Sequence, residues 1–304
     1  MSDQENNTKE KMLFGKDKNP SNIQPQKLTK DSKIKFRCHP GVSCFTACCG
    51  GIKIVLTPYD ILMLTKRLGI PAHEFLHKTD LPGVMIEMRD EDNKCPFVTP
   101  EGCTVYTDRP TACRYYPVGM ADFHEGGTRD ADGNELTTEE EKFFFLVKEP
   151  YCKGHEEDKE WTVGEWRKDQ GVDVRDEMNK EWLRLVMRKK SFGHQATMSE
   201  PAKRMFFMAS TDISHFRRFV FESTFLDTYQ IDQETIDKIK EDDVALMLFS
   251  FEYLANSLFG TQTLKIREDK IQQKVKEMKE RQDDAVISAV KDYEDLKASL
   301  DLKK

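Results

Sequence analysis

Three cysteines fall within six positions in the stretch Cys44-Phe45-Thr46-Ala47-Cys48-Cys49, and the last two are chain neighbours. Cys38, Cys95, Cys103, Cys113 and Cys152 complete a set of eight, all between Phe36 and His155. Such confinement separates them from cysteines that serve as scattered small hydrophobes. A thiolate is a soft ligand, and four satisfy either a tetrahedral zinc ion or the irons of an iron-sulfur cluster. The eight cysteines are therefore the expected metal ligands. Spacings of two to four residues let a short loop turn two sulfurs toward one ion, and Cys44 to Cys48 fits that rule.

Cys38 stands further upstream, across His39-Pro40-Gly41-Val42-Ser43, whose proline and glycine suit a bend. The adjacent pair Cys48 and Cys49 is the unusual element. Neighbouring side chains of an extended chain face opposite ways, so both reach one ion only through a kink, which Gly50 and Gly51 would permit. Alternatively the two sulfurs serve two different centres, and eight thiols suffice for two four-ligand sites. Spacing alone leaves both arrangements open.

The redox setting bears on this choice of chemistry. No run of 18 or more apolar residues occurs, and the polar N-terminal stretch holds no signal-peptide core. The expected location is the cytoplasm, where a reducing environment favours metal or redox use of cysteine over structural disulfides. A formal charge of -7 and a pI near 5.6 argue against broad binding to nucleic acid or an anionic membrane. Glycine-rich phosphate loops, dinucleotide fingerprints and His-Glu-x-x-His helices are all missing from the sequence.

The string Cys103-Thr-Val-Tyr-Thr-Asp-Arg-Pro-Thr-Ala-Cys113-Arg-Tyr-Tyr-Pro, with Cys-Phe-Thr-Ala-Cys-Cys-Gly-Gly ahead of it and Tyr-Cys-Lys-Gly-His behind, resembles the bacterial zinc- or iron-chelating CxxCxxCC cysteine-cluster family. The resemblance spans residues 36 to 155. It implies a metal or iron-sulfur site built by the cysteines, in proteins often labelled iron-sulfur oxidoreductases. The cysteine region is also similar to that of flagellin lysine methylase, where a cluster is implicated in methyl transfer. This chain departs from the family pattern at the front, with five and three residues in gaps where two and two are expected.

Arg109 and Arg114 flank Cys113 within the same string and are the candidate cofactor-binding residues. A guanidinium beside a thiolate cluster would offset its charge and hydrogen-bond sulfur. The competing structural reading has Asp108 and Arg109 capping a helix that starts at Pro110. The histidines read as bystanders. His39 and His155 lie beside Cys38 and Cys152, while His73 and His77 are spaced for one helix face with nothing nearby to finish a site.

Positioning elements follow from pattern. Thr57-Pro58 opens a helix that stops at Gly69, Gly51 to Leu56 reads as a strand, and Gly83 to Met88 alternates as another, with Cys95 to Val98 as its hairpin partner. The stretch 139–150 reads as a strand, and Thr162 with Glu165 fits a capping box. Helical periodicity then runs through the second half, ending in an apolar helix closed by Gly260.

The expected architecture is α+β, a small cysteine-rich metal-binding module followed by an all-helical region. The expected division is a disordered tail over 1–33, the metal-binding domain over 34–158, a helical domain over 159–262 and a charged helix over 263–304. A stripe from Ile271 to Leu300 makes that last helix a candidate for self-association or for a protein partner. Three functions stay open at this level: an iron-sulfur or zinc protein with redox or electron-transfer activity, a zinc-stabilised adaptor without catalysis, and an iron-sulfur-dependent methyltransferase-like enzyme.

Overall fold

Pairing between distant segments joins the two ends of the cysteine-bearing half, with short local pairs between them. The computed structural model describes residues 26–78, 83–122, 142–191, 198–267 and 276. The chain divides into two compact units, Met1–Ala196 and Thr197–Lys304. The architecture is α+β, with the strands concentrated in the first unit and helices dominating the second.

In the first unit β1 (Lys33–Lys35) pairs antiparallel with β9 (Glu160–Thr162), so the two ends of the cysteine stretch meet. Strand β2 (Val55–Leu56) and β3 (Leu76–Lys78) flank β4 (Val84–Ile86), while β5 (Val98–Thr99) pairs with β6 (Gly102–Cys103) and β7 (Val118–Asp122) with β8 (Lys142–Leu146). The hairpin expected between Gly83–Met88 and Cys95–Val98 does not form. Strand β4 instead takes β2 and β3 as partners. Arg89 closes the loop after β4 on Asp92 and Lys94, sending the chain back toward Cys49 rather than along β4.

Helix α1 (Pro58–Leu68) starts at a capping box between Thr57 and Asp60 and ends on Gly69 at φ 67°, a left-handed residue that glycine supplies without strain. Helix α2 (Thr111–Tyr115) carries Cys113. Helix α3 (Val163–Gln170) has the expected Thr162/Glu165 capping box, and α4 (Val172–Ser191) follows it. These last two helices belong to the first compact unit, not to a separate helical domain beginning at 159. The reason is packing: Val163 and Trp166 join Leu28, Ile34, Phe36, Val118 and Phe144 in one buried cluster.

Leu28 also corrects the expected tail boundary, since it is buried and bridges Phe144 through both backbone groups. Short polar composition around it hides a single anchoring residue. His73 and His77 do not share a helix, because His73 lies in a 3-10 turn and His77 on β3.

The second unit contains α5 (Glu200–Thr211), α6 (Ile213–Glu222), α7 (Phe225–Thr228), α8 (Gln233–Glu241) and α9 (Asp243–Phe259), which Gly260 closes. Phe216, Phe219, Phe225, Tyr229 and Tyr253 form a ring cluster in its core. A short pair, β10 (Tyr229–Gln230) with β11 (Lys265–Ile266), interrupts the all-helical expectation. The stripe from Ile271 to Leu300, His124 and His194 lie outside the described residues. Among the described residues no helix is long and apolar enough to cross a membrane.

One close approach has a measurable consequence. Gly154 is buried, and a Cβ there would stand 2.8 Å from the Phe36 ring and 2.9 Å from the Arg37 carbonyl oxygen. Gly154→Ala is expected to destabilise the first unit by about 1–3 kcal/mol through overpacking against a backbone that cannot yield, read as a lowered denaturant midpoint relative to wild type.

Candidate metal centre

The loop after β1 is wound so tightly that its cysteines are held by backbone turns rather than by packing. Successive three-residue hydrogen bonds run from Val42 N–H to His39 O, Phe45 to Val42, Ala47 to Cys44 and Cys49 to Thr46. Thr46 lies in the left-handed region at φ 66°, and a 3-10 turn over Ala47–Cys49 follows it. The kink at the adjacent cysteines is thus made by Thr46 before them and by Gly51, at φ 66°, after them. Gly50 itself is extended. A non-glycine residue at positive φ carries strain.

Two strands of contact lead away from this loop. In one, Cys95 N–H donates to Cys49 O at 2.8 Å and Gly51 N–H to Asn93 O at 2.9 Å. Cys95 then starts the turn into β5, whose partner β6 holds Cys103 opposite Val98. Gly102, at φ 127°, passes so close to the loop that a Cβ would lie 3.2 Å from the Phe45 ring.

In the other, Lys153 N–H donates to Cys44 Sγ at 3.0 Å, and Arg37 N–H to Gly154 O at 3.0 Å. Cys38 and Cys44 are thereby brought to the chain segment that bears Cys152. The Tyr116 hydroxyl hydrogen-bonds the Cys152 thiol and stands 3.2 Å from His155 Nε2.

Cys113 is placed by the most deeply buried carboxylate of the unit. Asp60 is fully buried; its Oδ1 accepts from Thr111 N–H at 2.9 Å, Thr111 Oγ1–H at 2.7 Å and Arg175 Nη1–H at 3.0 Å. Its Oδ2 closes the Thr57 capping box. The first turn of α2 is consequently pinned to α1 and α4, two residues before Cys113.

All eight cysteines are free thiols. Several of the thiols feel one another electrostatically. Burial, then Cys95, Cys103 and Cys48, pushes Cys113 up to about 12. Partial desolvation, then Cys48, Cys44 and Cys152, pushes Cys38 up to about 11, although that residue keeps an exposed surface. Cys95 and Cys103 are also raised by burial, each feeling another cysteine of the set. Burial raises Cys152 as well, with Cys44 adding to it. A hydrogen bond between the neighbours holds Cys48 down and Cys49 up.

Among the described residues no group of three or more His, Cys, Asp or Glu side chains already stands in a metal-holding arrangement. The backbone therefore brings cysteines from separate chain segments toward one another without a closed coordination shell among the described residues. The donor set fits a thiophilic metal: free thiols, an N–H group on one sulfur and a phenol on another.

The flanking arginines differ in role. Arg114 donates to the backbone oxygens of Arg109, Thr107 and Gln170, so it clamps the turn before α2. Burial, then the neighbouring Arg175 and Arg109, pushes it down to about 10. Arg109 donates to Tyr106 O and Gln170 Oε1 and lies 3.8 Å above the Tyr106 ring. Its charge favours the thiolates of Cys38, Cys103 and Cys113. The described hydrogen bonds of both guanidiniums end on oxygen, so charge rather than N–H···S bonding links Arg109 to the cysteines. Helix α2 has Pro110 as its N-cap without a side-chain cap, which removes the capping role considered for Asp108 and Arg109.

His39 is engaged by Glu157 at 3.0 Å and by Gly41 N–H, and His155 by Tyr116 and the Val147 backbone. Asp60 and Arg175 escaped the sequence reading. The capping pattern marks Asp60 as a first-turn acid, but nothing local signals the 51- and 115-residue separations to its other partners.

Residues 37–157 match the CxxCxxCC family, described as a putative zinc- or iron-chelating domain. No curated protein and no solved structure matches the chain. That match supports metal binding by the cysteine region, in agreement with the resemblance carried by its motif.

Two outcomes follow. Asp60→Ala is expected to cost about 3–5 kcal/mol by leaving the Arg175 charge buried and unpaired, seen as a shifted denaturation midpoint. In the metal-free protein, a thiol pKa raised above its unfolded value means the fold holds protons that the unfolded chain releases. Stability should therefore be full below about pH 8.5 and fall as pH rises toward 12. Urea midpoints across that range measure it, with a shallower decline expected for Cys113→Ala.

Proposed function

We propose that the first unit is a metal-thiolate protein whose ligands are Cys38, Cys44, Cys48, Cys49, Cys95, Cys103, Cys113 and Cys152. The observation that carries this reading is convergence. Residues separated by up to 114 positions, Cys38 to Cys152, come within electrostatic reach as free thiols. Thiolates select zinc or iron-sulfur clusters over hard cations.

An iron-sulfur cluster would bring one-electron chemistry, and zinc would bring structural cross-linking of the loop. In either case Arg109 supplies fixed positive charge beside the anionic sulfurs, and Lys153 N–H and the Tyr116 hydroxyl stabilise the sulfurs of Cys44 and Cys152. Redox or electron-transfer activity is the consequence of the iron option. The adaptor reading belongs with zinc, where metal binding contributes folding free energy. The gathered but unclosed ligand set suits either.

Anaerobic purification followed by elemental analysis and an absorption spectrum decides between them. Iron with acid-labile sulfide and broad visible absorption is the iron-sulfur outcome; colourless protein with bound zinc is the other. Protein that takes up neither metal from a reconstitution mixture would defeat the proposal. Arg109→Gln is expected to leave the metal count unchanged and, in the iron case, to lower the reduction potential, because a reduced centre loses a neighbouring positive charge; a potentiometric titration reads the shift.

A further inference from the structure

Resting on that reading, we infer that the eight cysteines form two separate four-thiolate centres, divided at the peptide bond between Cys48 and Cys49. One centre takes Cys38, Cys44, Cys48 and Cys152, and the other takes Cys49, Cys95, Cys103 and Cys113.

Backbone geometry makes the first division. Cys49 is joined to Cys95 by a direct main-chain hydrogen bond, and Cys95 leads through the β5–β6 hairpin to Cys103. Cys44 is joined to the other segment by the Lys153 N–H on its sulfur, one residue after Cys152, and Arg37 N–H binds Gly154 O beside Cys38. No such main-chain link connects Cys152 to the β5–β6 hairpin among the described bonds.

The sulfurs divide in the same way. Cys38 interacts with Cys44 and Cys152, and Cys152 with Cys44. Cys49 interacts with Cys95 and Cys113, Cys95 with Cys103, and Cys113 with Cys95 and Cys103. Cys48 interacts with members of both sets, with Cys38 on one side and with Cys49, Cys103 and Cys113 on the other.

Ligand counting then assigns Cys48. The set around Cys49 already has four thiols, whereas the set around Cys44 has three and lacks one. The Cys48 and Cys49 sulfurs share a hydrogen bond in the metal-free chain, which Cys48 would exchange for the first set; the 3-10 turn over Ala47–Cys49, on which successive side chains ideally point about 120° apart, allows that rotation. Neighbouring cysteines that could not easily share one ion are well placed to serve two. Consecutive Cα atoms are about 3.8 Å apart, so the two centres would lie within on the order of 10 Å of each other.

Cobalt(II) titration of metal-free protein under anaerobic conditions tests the division, since tetrathiolate cobalt is read from its sulfur-to-cobalt charge-transfer and visible bands. Wild type is expected to saturate at two cobalt ions per chain. Cys44→Ser with Cys152→Ser, both in one set, should keep one tetrathiolate ion. Cys113→Ser with Cys152→Ser, one from each set, should keep none. Cys48→Ser with Cys152→Ser should behave like the first pair.

Circular dichroism of each zinc-loaded variant separates ligand loss from unfolding, and Cys38→Ser can replace Cys152→Ser in every pair. Saturation at one ion, or equal spectra for the within-set and cross-set pairs, overturns the two-centre assignment while leaving metal binding intact. Retention of one ion by the cross-set pair overturns it as well. Wild type that binds no cobalt and no zinc defeats the underlying reading and this one with it.

Discussion

One buried carboxylate sets the frame in which the cysteines can meet. Asp60 accepts hydrogen bonds from Thr57 at the start of α1, from Thr111 at the start of α2 and from Arg175 on α4, with no exposure to solvent. A buried ion pair gains little stability over an apolar replacement, but removal of one partner is severe. Its value lies in uniqueness of position. Three helices converge on two oxygens, so α2 cannot slide along α4 without orphaning a donor. Cys113, two residues beyond Thr111, inherits that fixed position.

Around this frame the cysteine loop is held largely by main-chain hydrogen bonds. The segment His39–Gly51 has hardly any apolar burial of its own beyond Val42, so its shape comes from consecutive tight turns and a strained Thr46. Such a segment is ordered only as far as those bonds order it. A metal bound by side chains from the loop, the β5–β6 hairpin, α2 and the Cys152 turn would cross-link four elements at once. That coupling would convert metal affinity into fold stability.

Local chemistry was readable in the sequence wherever the cause was local. The Thr57 and Thr162 caps and the glycines ending α1 and α9 all depend on residues within a few positions of one another. Pairing between remote segments was not readable. The partner of Cys95 is the loop at Cys49 rather than the adjacent strand, because the Arg89 loop reverses the chain after β4. The helices α3 and α4 looked separate because nothing in their periodicity announces that Trp166 belongs beside Phe36, or Arg175 beside Asp60. The kink at Cys48–Cys49 was legible only on one side: Gly51 after the pair takes the left-handed conformation as expected, but Thr46 before it takes that conformation too.

Charge gives the deepest reason for a divided site. Thiolates crowded together repel, and in a partly desolvated setting that repulsion falls off slowly with distance. The raised Cys113 and Cys38 thiols express it in the metal-free protein. A divalent ion neutralises two of its four thiolates, so each centre keeps a net negative charge that the surroundings must offset. Arg109 acts on Cys38 in one set and on Cys103 and Cys113 in the other. A single buried guanidinium, held by Tyr106 and Gln170 rather than by the sulfurs, therefore serves both sets from a fixed position. Because its position does not depend on any sulfur bond, its stabilising field is present before either centre fills. Filling one centre then leaves that field in place for the other, and the adjacent cysteines can belong to different ions without a separate counter-charge for each.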